Sequence, residues 1–169
     1  MPQRAYAASP RLSEVRYEIR GELAHRAREL ETRGAEILRL NIGNPGVYGF
    51  TVPAHQREAI ERNLTRSEAN CVEQGVNDAR AAIVAQQKKR GAPNVAVETT
   101  FVGNGVSELI DIALRALLAP GDEVLVPSPD YPLWTAATIL NGGTAVHYEC
   151  LAANGFLPDP DALEAQITP

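Results

Sequence analysis

Lysine is nearly missing from this sequence: of its 169 residues, only the neighbours Lys88 and Lys89 carry that side chain. The only basic run is Lys88-Lys89-Arg90, which reads most simply as a solvated helix end facing the dipole. At a net charge of −5 the chain lacks the basic clusters that nucleic acid or an anionic membrane surface attracts, so neither is expected as a partner. Cysteine is as scarce. Cys71 and Cys150 stand far apart and match neither a metal-ligand spacing nor a disulfide framework, so no bound metal is expected and a reducing, cytoplasmic setting fits. Long apolar runs are missing too. Nothing approaches the ~18–20 residues of a membrane span, and Met1–Arg20 is too polar to read as a signal peptide. What is present, 44% hydrophobic and 22% charged residues, suits a globular domain with a real core.

The most informative stretch runs from Thr99 to Leu109. Thr99–Val102, β-branched and aromatic, predicts a short buried strand. Gly103 and Gly105 bracket a turn, after which Val106, Leu109, Ile110, Ala113, Leu114 and Leu117 recur at helical spacing. A strand that breaks through glycines into a helix start leaves unpaired backbone N–H groups and the positive end of the dipole facing outward, which favours an anion. Ser107 adds a hydroxyl in the first turn. The stretch therefore reads either as a phosphate cradle or as an ordinary βα turn with a serine near its cap. A dinucleotide fingerprint is excluded, because Glu108 stands where its third glycine is needed.

In chain order, Met1–Pro10 reads as a loose arm. A helix is predicted from about Glu14 to Arg33, broken near Gly21, with Leu23, Ala27 and Leu30 on one face and Gly34 closing it. Tyr17 and Arg20, just ahead of that break, read on their own as a surface pair. Ile37–Ile42 alternates like a half-buried strand and stops at Gly43-Asn44-Pro45-Gly46, whose exposed amides suit either a ligand carboxylate or a simple change of direction. Pro53 opens a helix to about Asn63. Val76–Arg90 predicts a helix with Ala79, Ile83 and Val84 facing in, ended by Gly91. Glu123–Val126 is apolar enough for a buried parallel strand, Leu133–Leu140 for a helix, Thr144–Tyr148 for a third strand, and Pro160–Gln166 for a short amphipathic helix. Strands and helices alternating through short turns predict a right-handed parallel α/β sheet. Ligands of such sheets sit beyond the carboxyl ends of the strands, where both the Gly103–Ser107 and Pro127–Tyr131 turns are expected. The sheet reads as unfinished at its edge, as though the chain were cut short.

Four blocks, in order and at matching spacing, resemble the class I/II aminotransferases, fold-type I pyridoxal-phosphate enzymes, and among them the bacterial alanine (glutamate–pyruvate) group. They are Tyr17-Glu18-Ile19-Arg20-Gly21, Leu40-Asn41-Ile42-Gly43-Asn44-Pro45, Gly103-Asn104-Gly105-Val106-Ser107-Glu108-Leu109 and Pro127-Ser128-Pro129-Asp130-Tyr131-Pro132-Leu133-Trp134. The resemblance runs from about Ser13 to the end. It implies an α/β fold in which residues 1–50 supply an arm, a helix and a small-domain segment. Residues 51–169 would then begin a large cofactor-binding domain with a mostly parallel sheet flanked by helices.

The resemblance also assigns roles. Gly105, Val106 and Ser107 would hold the phosphate of pyridoxal 5'-phosphate, and Tyr131 would stack on its ring. Gly43 would offer its backbone N–H to the substrate carboxylate, Tyr17 and Arg20 would fold over the substrate, and Trp134 would pack in the core. The implied reaction moves an amino group between an amino acid, alanine or glutamate, and a 2-oxo acid, in an enzyme that is a homodimer. In the family the Schiff-base lysine, and the groups that hold the ring nitrogen and substrate carboxylate, lie further along the chain than Pro169. Lys88 and Lys89 do not match that lysine. These 169 residues are accordingly expected to be about the first two-fifths of such a protein, with no catalytic residue and no activity of their own. Asn70 stands where the family usually has a tyrosine reaching the neighbouring subunit's phosphate, and is too short for that contact. The alternatives are another fold-type I enzyme, a carbon–sulfur lyase or a synthase, and a truncated remnant without catalysis.

Overall fold

A computed structural model describes residues 7–17, 21–40 and 43–168. They divide into two compact units, Met1–Ile37 with Asn104–Pro169, and Leu38–Gly103.

The first unit is built on one βαβ crossover. Strand β1 (Glu123–Ser128) pairs in parallel with β2 (Thr144–Glu149), Glu123 opposite Thr144 and Ser128 opposite Glu149. A helix, Leu133–Leu140, connects them, as a parallel pair requires. Its small residues Ala136, Ala137 and Thr138 are buried, and Thr138 returns its hydroxyl to the Trp134 carbonyl at 2.8 Å. A second helix, Val106–Leu117, buries Ile110 and Leu114 on Ala137, with Leu118, Val124 and Leu133 packed around them. Asn141 joins the two helices through the Asp111 carboxylate at 2.8 Å. A third helix, Glu22–Thr32, starts at Gly21 and is closed by a Schellman pair, Gly34 N–H to Glu31 and Ala35 N–H to Leu30. Pro160–Glu164 forms a last short helix, which Asp159 caps by accepting from the Asp161 amide.

Among its described residues the second unit holds the helices Ala54–Asn63 and Asn77–Lys89 and three 3₁₀ turns. Numbered along the chain, the helices are α1 (Glu22–Thr32), α2 (Ala54–Asn63), α3 (Asn77–Lys89), α4 (Val106–Leu117), α5 (Leu133–Leu140) and α6 (Pro160–Glu164). Arg80 and Val84 are the buried residues of α3. The Arg80 guanidinium donates from Nε to the Gly75 carbonyl at 3.0 Å, and from Nη1 to Gln74 Oε1 and the Val97 carbonyl, both at 2.9 Å. Beside it, Gly75 has φ +94°, and a Cβ there would stand 2.8 Å from the Val102 Cβ. Gly75→Ala should therefore lower stability by about 2 kcal/mol or more, from left-handed strain and overlap together. An unchanged denaturation midpoint would refute this account of Gly75.

Several sequence expectations are corrected. Thr99–Val102 forms no strand: Val97–Thr99 is a 3₁₀ turn, Thr100 is extended, and the Val102 N–H goes to the Gln74 carbonyl at 2.9 Å. Side chains suited to a sheet make a strand only where another backbone runs alongside, and among the described residues none does. Ile37–Leu40 likewise forms no strand, with Leu38 and Leu40 exposed, while Asn41 and Ile42 lie outside the described residues. The predicted helix over Glu14–Tyr17 is instead a 3₁₀ turn at Pro10–Ser13 followed by irregular chain. There Val15 and Tyr17 are half-buried and Glu14 and Arg16 exposed, a period of two rather than 3.6. Trp134 is 38% exposed and is not a core residue, and Ile83 faces out rather than in.

Candidate functional site

Helix α4 begins at a backbone position that only glycine adopts readily. Gly105, its N-cap, has φ +93° and ψ 163°, the region closed to residues with a Cβ. Nothing stands within 4 Å of where that Cβ would be, so the approach to the turn is open. No side chain caps the helix, so the Val106 and Ser107 amides are left for water or an anion. Among the described residues the Ser107 hydroxyl takes no hydrogen-bond partner, and the residue is exposed. Two amides, one hydroxyl and the positive end of a twelve-residue helix thus converge on solvent at one turn.

Glu108 complicates the electrostatics. Its carboxylate reaches back one turn and accepts from the Asn104 backbone N–H, one residue ahead of the N-cap Gly105. That bond fixes the Gly103–Gly105 turn, but it places a negative charge beside the same amides.

Tyr131 follows the carboxyl end of β1 and its carbonyl accepts from the Trp134 amide at 3.3 Å, which seats it on the first turn of α5. Its hydroxyl meets that of Tyr17 at 2.8 Å, and the two rings stand edge to face, 6.3 Å between centroids at 72°. Tyr131 keeps 44% of its surface exposed. An aromatic ring fixed at its hydroxyl and open on its surface is a stacking platform.

Of the residues singled out by the sequence, Tyr17 and Tyr131 are in direct contact, and Gly105, Val106 and Ser107 share one turn of α4, the helix that packs on α5. Gly43 lies in the other unit, exposed and with nothing within 4 Å of its missing Cβ. Arg20 lies outside the described residues. The Gly103–Ser107 turn follows an extended segment rather than the paired strand expected for it, whereas Tyr131 does follow one. Among the described residues no group of three or more His, Cys, Asp and Glu could hold a metal, and no helix is long and apolar enough to cross a membrane. A cavity of about 700 Å³ opens at the start of β1 beside Leu118, Asp122, Glu123 and Ile167, and contains none of these site residues.

A sequence model described as "Aminotransferase class I and II" matches residues 35–169. The glutamate-pyruvate aminotransferase AlaA of Escherichia coli is 47% identical over 161 residues, covering 95% of this chain and 40% of its own length. An alanine aminotransferase of Mycobacterium bovis is 48% identical over 167 residues, covering 98% and 39%. The chain thus spans about two-fifths of the length of the curated relatives it matches. Among solved structures, an aminotransferase from Escherichia coli superposes with a TM-score of 0.89 at 45% identity, over 98% of this chain and 41% of that one. An alanine aminotransferase from Pyrococcus furiosus superposes with a TM-score of 0.87 at 34% identity, over 96% and 41%.

Proposed function

Since the chain belongs to the class I and II aminotransferase family and has the fold-type I α/β architecture of its solved neighbours, we propose that it carries the phosphate- and ring-holding segment of a pyridoxal-phosphate-dependent amino-acid aminotransferase. The amino donor and acceptor are alanine or glutamate and the matching 2-oxo acids, a choice supported by the names of the relatives at 47% and 48% identity. The working enzyme is a homodimer in the cytoplasm. Residues 1–50 belong to its arm and smaller domain, and residues 51–169 open its cofactor-binding domain.

The observation that carries the reading is the turn at Gly105. Its glycine-only conformation leaves amides and the Ser107 hydroxyl without protein partners, a donor set that fits a phosphate. When bound, pyridoxal phosphate supplies an electron sink for the substrate's α-carbon. The protein's part is to hold and orient. Val106 and Ser107 would hold the phosphate by donating their amides, and the Ser107 hydroxyl would add one donor. Tyr131 presents its ring to a flat conjugated partner, with its own position set by Tyr17. Tyr17 and Arg20 cover the substrate, and the Gly43 amide receives its carboxylate.

Neither lysine takes part. Lys88 and Lys89 end α3, next to the Schellman cap in which Gly91 donates to the Lys88 carbonyl at 3.0 Å. The 169-residue chain is therefore expected to bind pyridoxal phosphate reversibly, to release it on dialysis, and to form no keto acid from alanine and 2-oxoglutarate. Borohydride reduction followed by peptide mass mapping should find no stoichiometric label on either lysine. Absence of any saturable binding would refute the cradle, and a full label on Lys88 or Lys89 would overturn their exclusion from the chemistry.

A further inference from the structure

The chain ahead of α1 is tied to both ends of α5. At the carboxyl end, Arg11 Nη1 donates to the Leu140 carbonyl at 3.2 Å. That carbonyl belongs to the last turn of the helix, where acceptors lack intrahelical donors and a cation meets the negative end of the dipole. The guanidinium lies over Gly142, where a Cβ would come within 3.2 Å of Nη2, so the absence of a side chain there makes room for it. At the amino end, Tyr17 meets Tyr131 hydroxyl to hydroxyl at 2.8 Å.

Between the two ties the chain is hydrogen-bonded to itself as far as Val15, whose N–H reaches the Leu12 carbonyl at 3.4 Å. Pro10–Ser13 is a 3₁₀ turn packed on α5, held by Leu12 N–H to Ser9, Glu14 N–H to Arg11 and the Ser13 hydroxyl to Pro10. Val15 and Tyr17 then turn inward.

We propose that Arg11 is a positioning residue for Tyr131: by anchoring the strap on the end of α5, it sets where Tyr17 meets the Tyr131 hydroxyl and so the attitude of the Tyr131 ring. Its consequence for cofactor binding rests on the function proposed above, but the coupling itself is a property of the unliganded chain. The test is ¹⁹F NMR of the 169-residue chain with 3-fluorotyrosine at position 131, in wild type, Tyr17→Phe, Arg11→Ala, Arg11→Lys and the Arg11→Ala/Tyr17→Phe double variant.

Tyr17→Phe removes the hydroxyl contact and should shift the resonance. Arg11→Ala should shift it the same way by a smaller amount, and Arg11→Lys, which keeps a cation at the helix end, by less still. In the Tyr17→Phe background Arg11→Ala should move nothing further. Amide exchange at Leu12, Glu14 and Val15 should rise roughly two- to fivefold in Arg11→Ala, as loss of one exposed charge-assisted hydrogen bond implies. A Tyr131 resonance indifferent to Arg11, or an equal Arg11 effect with and without the Tyr17 hydroxyl, would overturn the proposal. Adding pyridoxal phosphate separates the two claims: a wild-type chain that takes none refutes the cofactor reading, while the ligand-free spectra still decide the role of Arg11.

Discussion

Arg80→Ala should destabilise the chain by about 3 kcal/mol, among the largest effects of any single side-chain truncation. The guanidinium is buried and divides its donors among Gly75, Gln74 and Val97. It thereby joins α3 to the turn that precedes it and to the 3₁₀ segment that follows it in sequence. Truncation removes a long packed stem and takes a donor from three half-buried acceptors, of which the Val97 carbonyl keeps the Thr100 N–H at 3.3 Å, and both losses act in the same direction. Arg80→Met keeps most of the stem and should recover only the packing share. Arg80→Lys keeps the charge but presents it at a point, so it should not serve acceptors arranged for a planar fork. Denaturant titrations followed by far-UV circular dichroism should give the ranking wild type, then Lys and Met, then Ala. An Arg80→Ala variant within about 0.5 kcal/mol of wild type, the range of an ordinary surface substitution, would show that these bonds carry little.

Nothing in the sequence announces Arg80. A charged residue on a helix reads as solvated surface, and its acceptors come from outside the helix, the Val97 carbonyl being 17 positions away. The legible elements are those set by local rules. The apolar spacing of α3 and α4, the runs that form β1, α5 and β2, and the glycines closing α1 and α3 all depend on neighbours within a turn or two. Thr99–Val102 shows the limit of that kind of reading, because its residues suit a sheet but no strand pairs with it among the described residues. The candidate site divides in the same way. The Gly105–Ser107 turn is readable as a helix start with free amides. The Tyr17–Tyr131 contact spans 114 positions, and only the family resemblance marks both tyrosines as site residues.

The decisive test of the cradle is Gly105→Ala set beside Ser107→Ala and Glu108→Gln. At φ +93° and ψ 163° an alanine meets a cost of about 1–3 kcal/mol, although its methyl would face open space. The turn should relax to a conformation that alanine tolerates, and the Val106 and Ser107 amides should swing away from their common focus. Pyridoxal phosphate affinity, read by ³¹P NMR or fluorescence titration, should then fall by roughly tenfold or more, since several donors are lost at once. Ser107→Ala removes one exposed hydroxyl donor from an otherwise intact turn, so it should weaken binding by roughly three- to tenfold with stability unchanged. Glu108→Gln runs in the opposite direction. Glutamine keeps a carbonyl oxygen that accepts from the Asn104 amide, but the negative charge beside the bound anion is gone, so affinity should rise by roughly two- to threefold and the gain should shrink as salt is added. An ordinary βα turn with no ligand predicts a different pattern: Gly105→Ala loses stability alone, and neither Ser107→Ala nor Glu108→Gln changes phosphate binding. Because the three substitutions move affinity by different amounts and in both directions, a general loss of folding cannot reproduce the expected set.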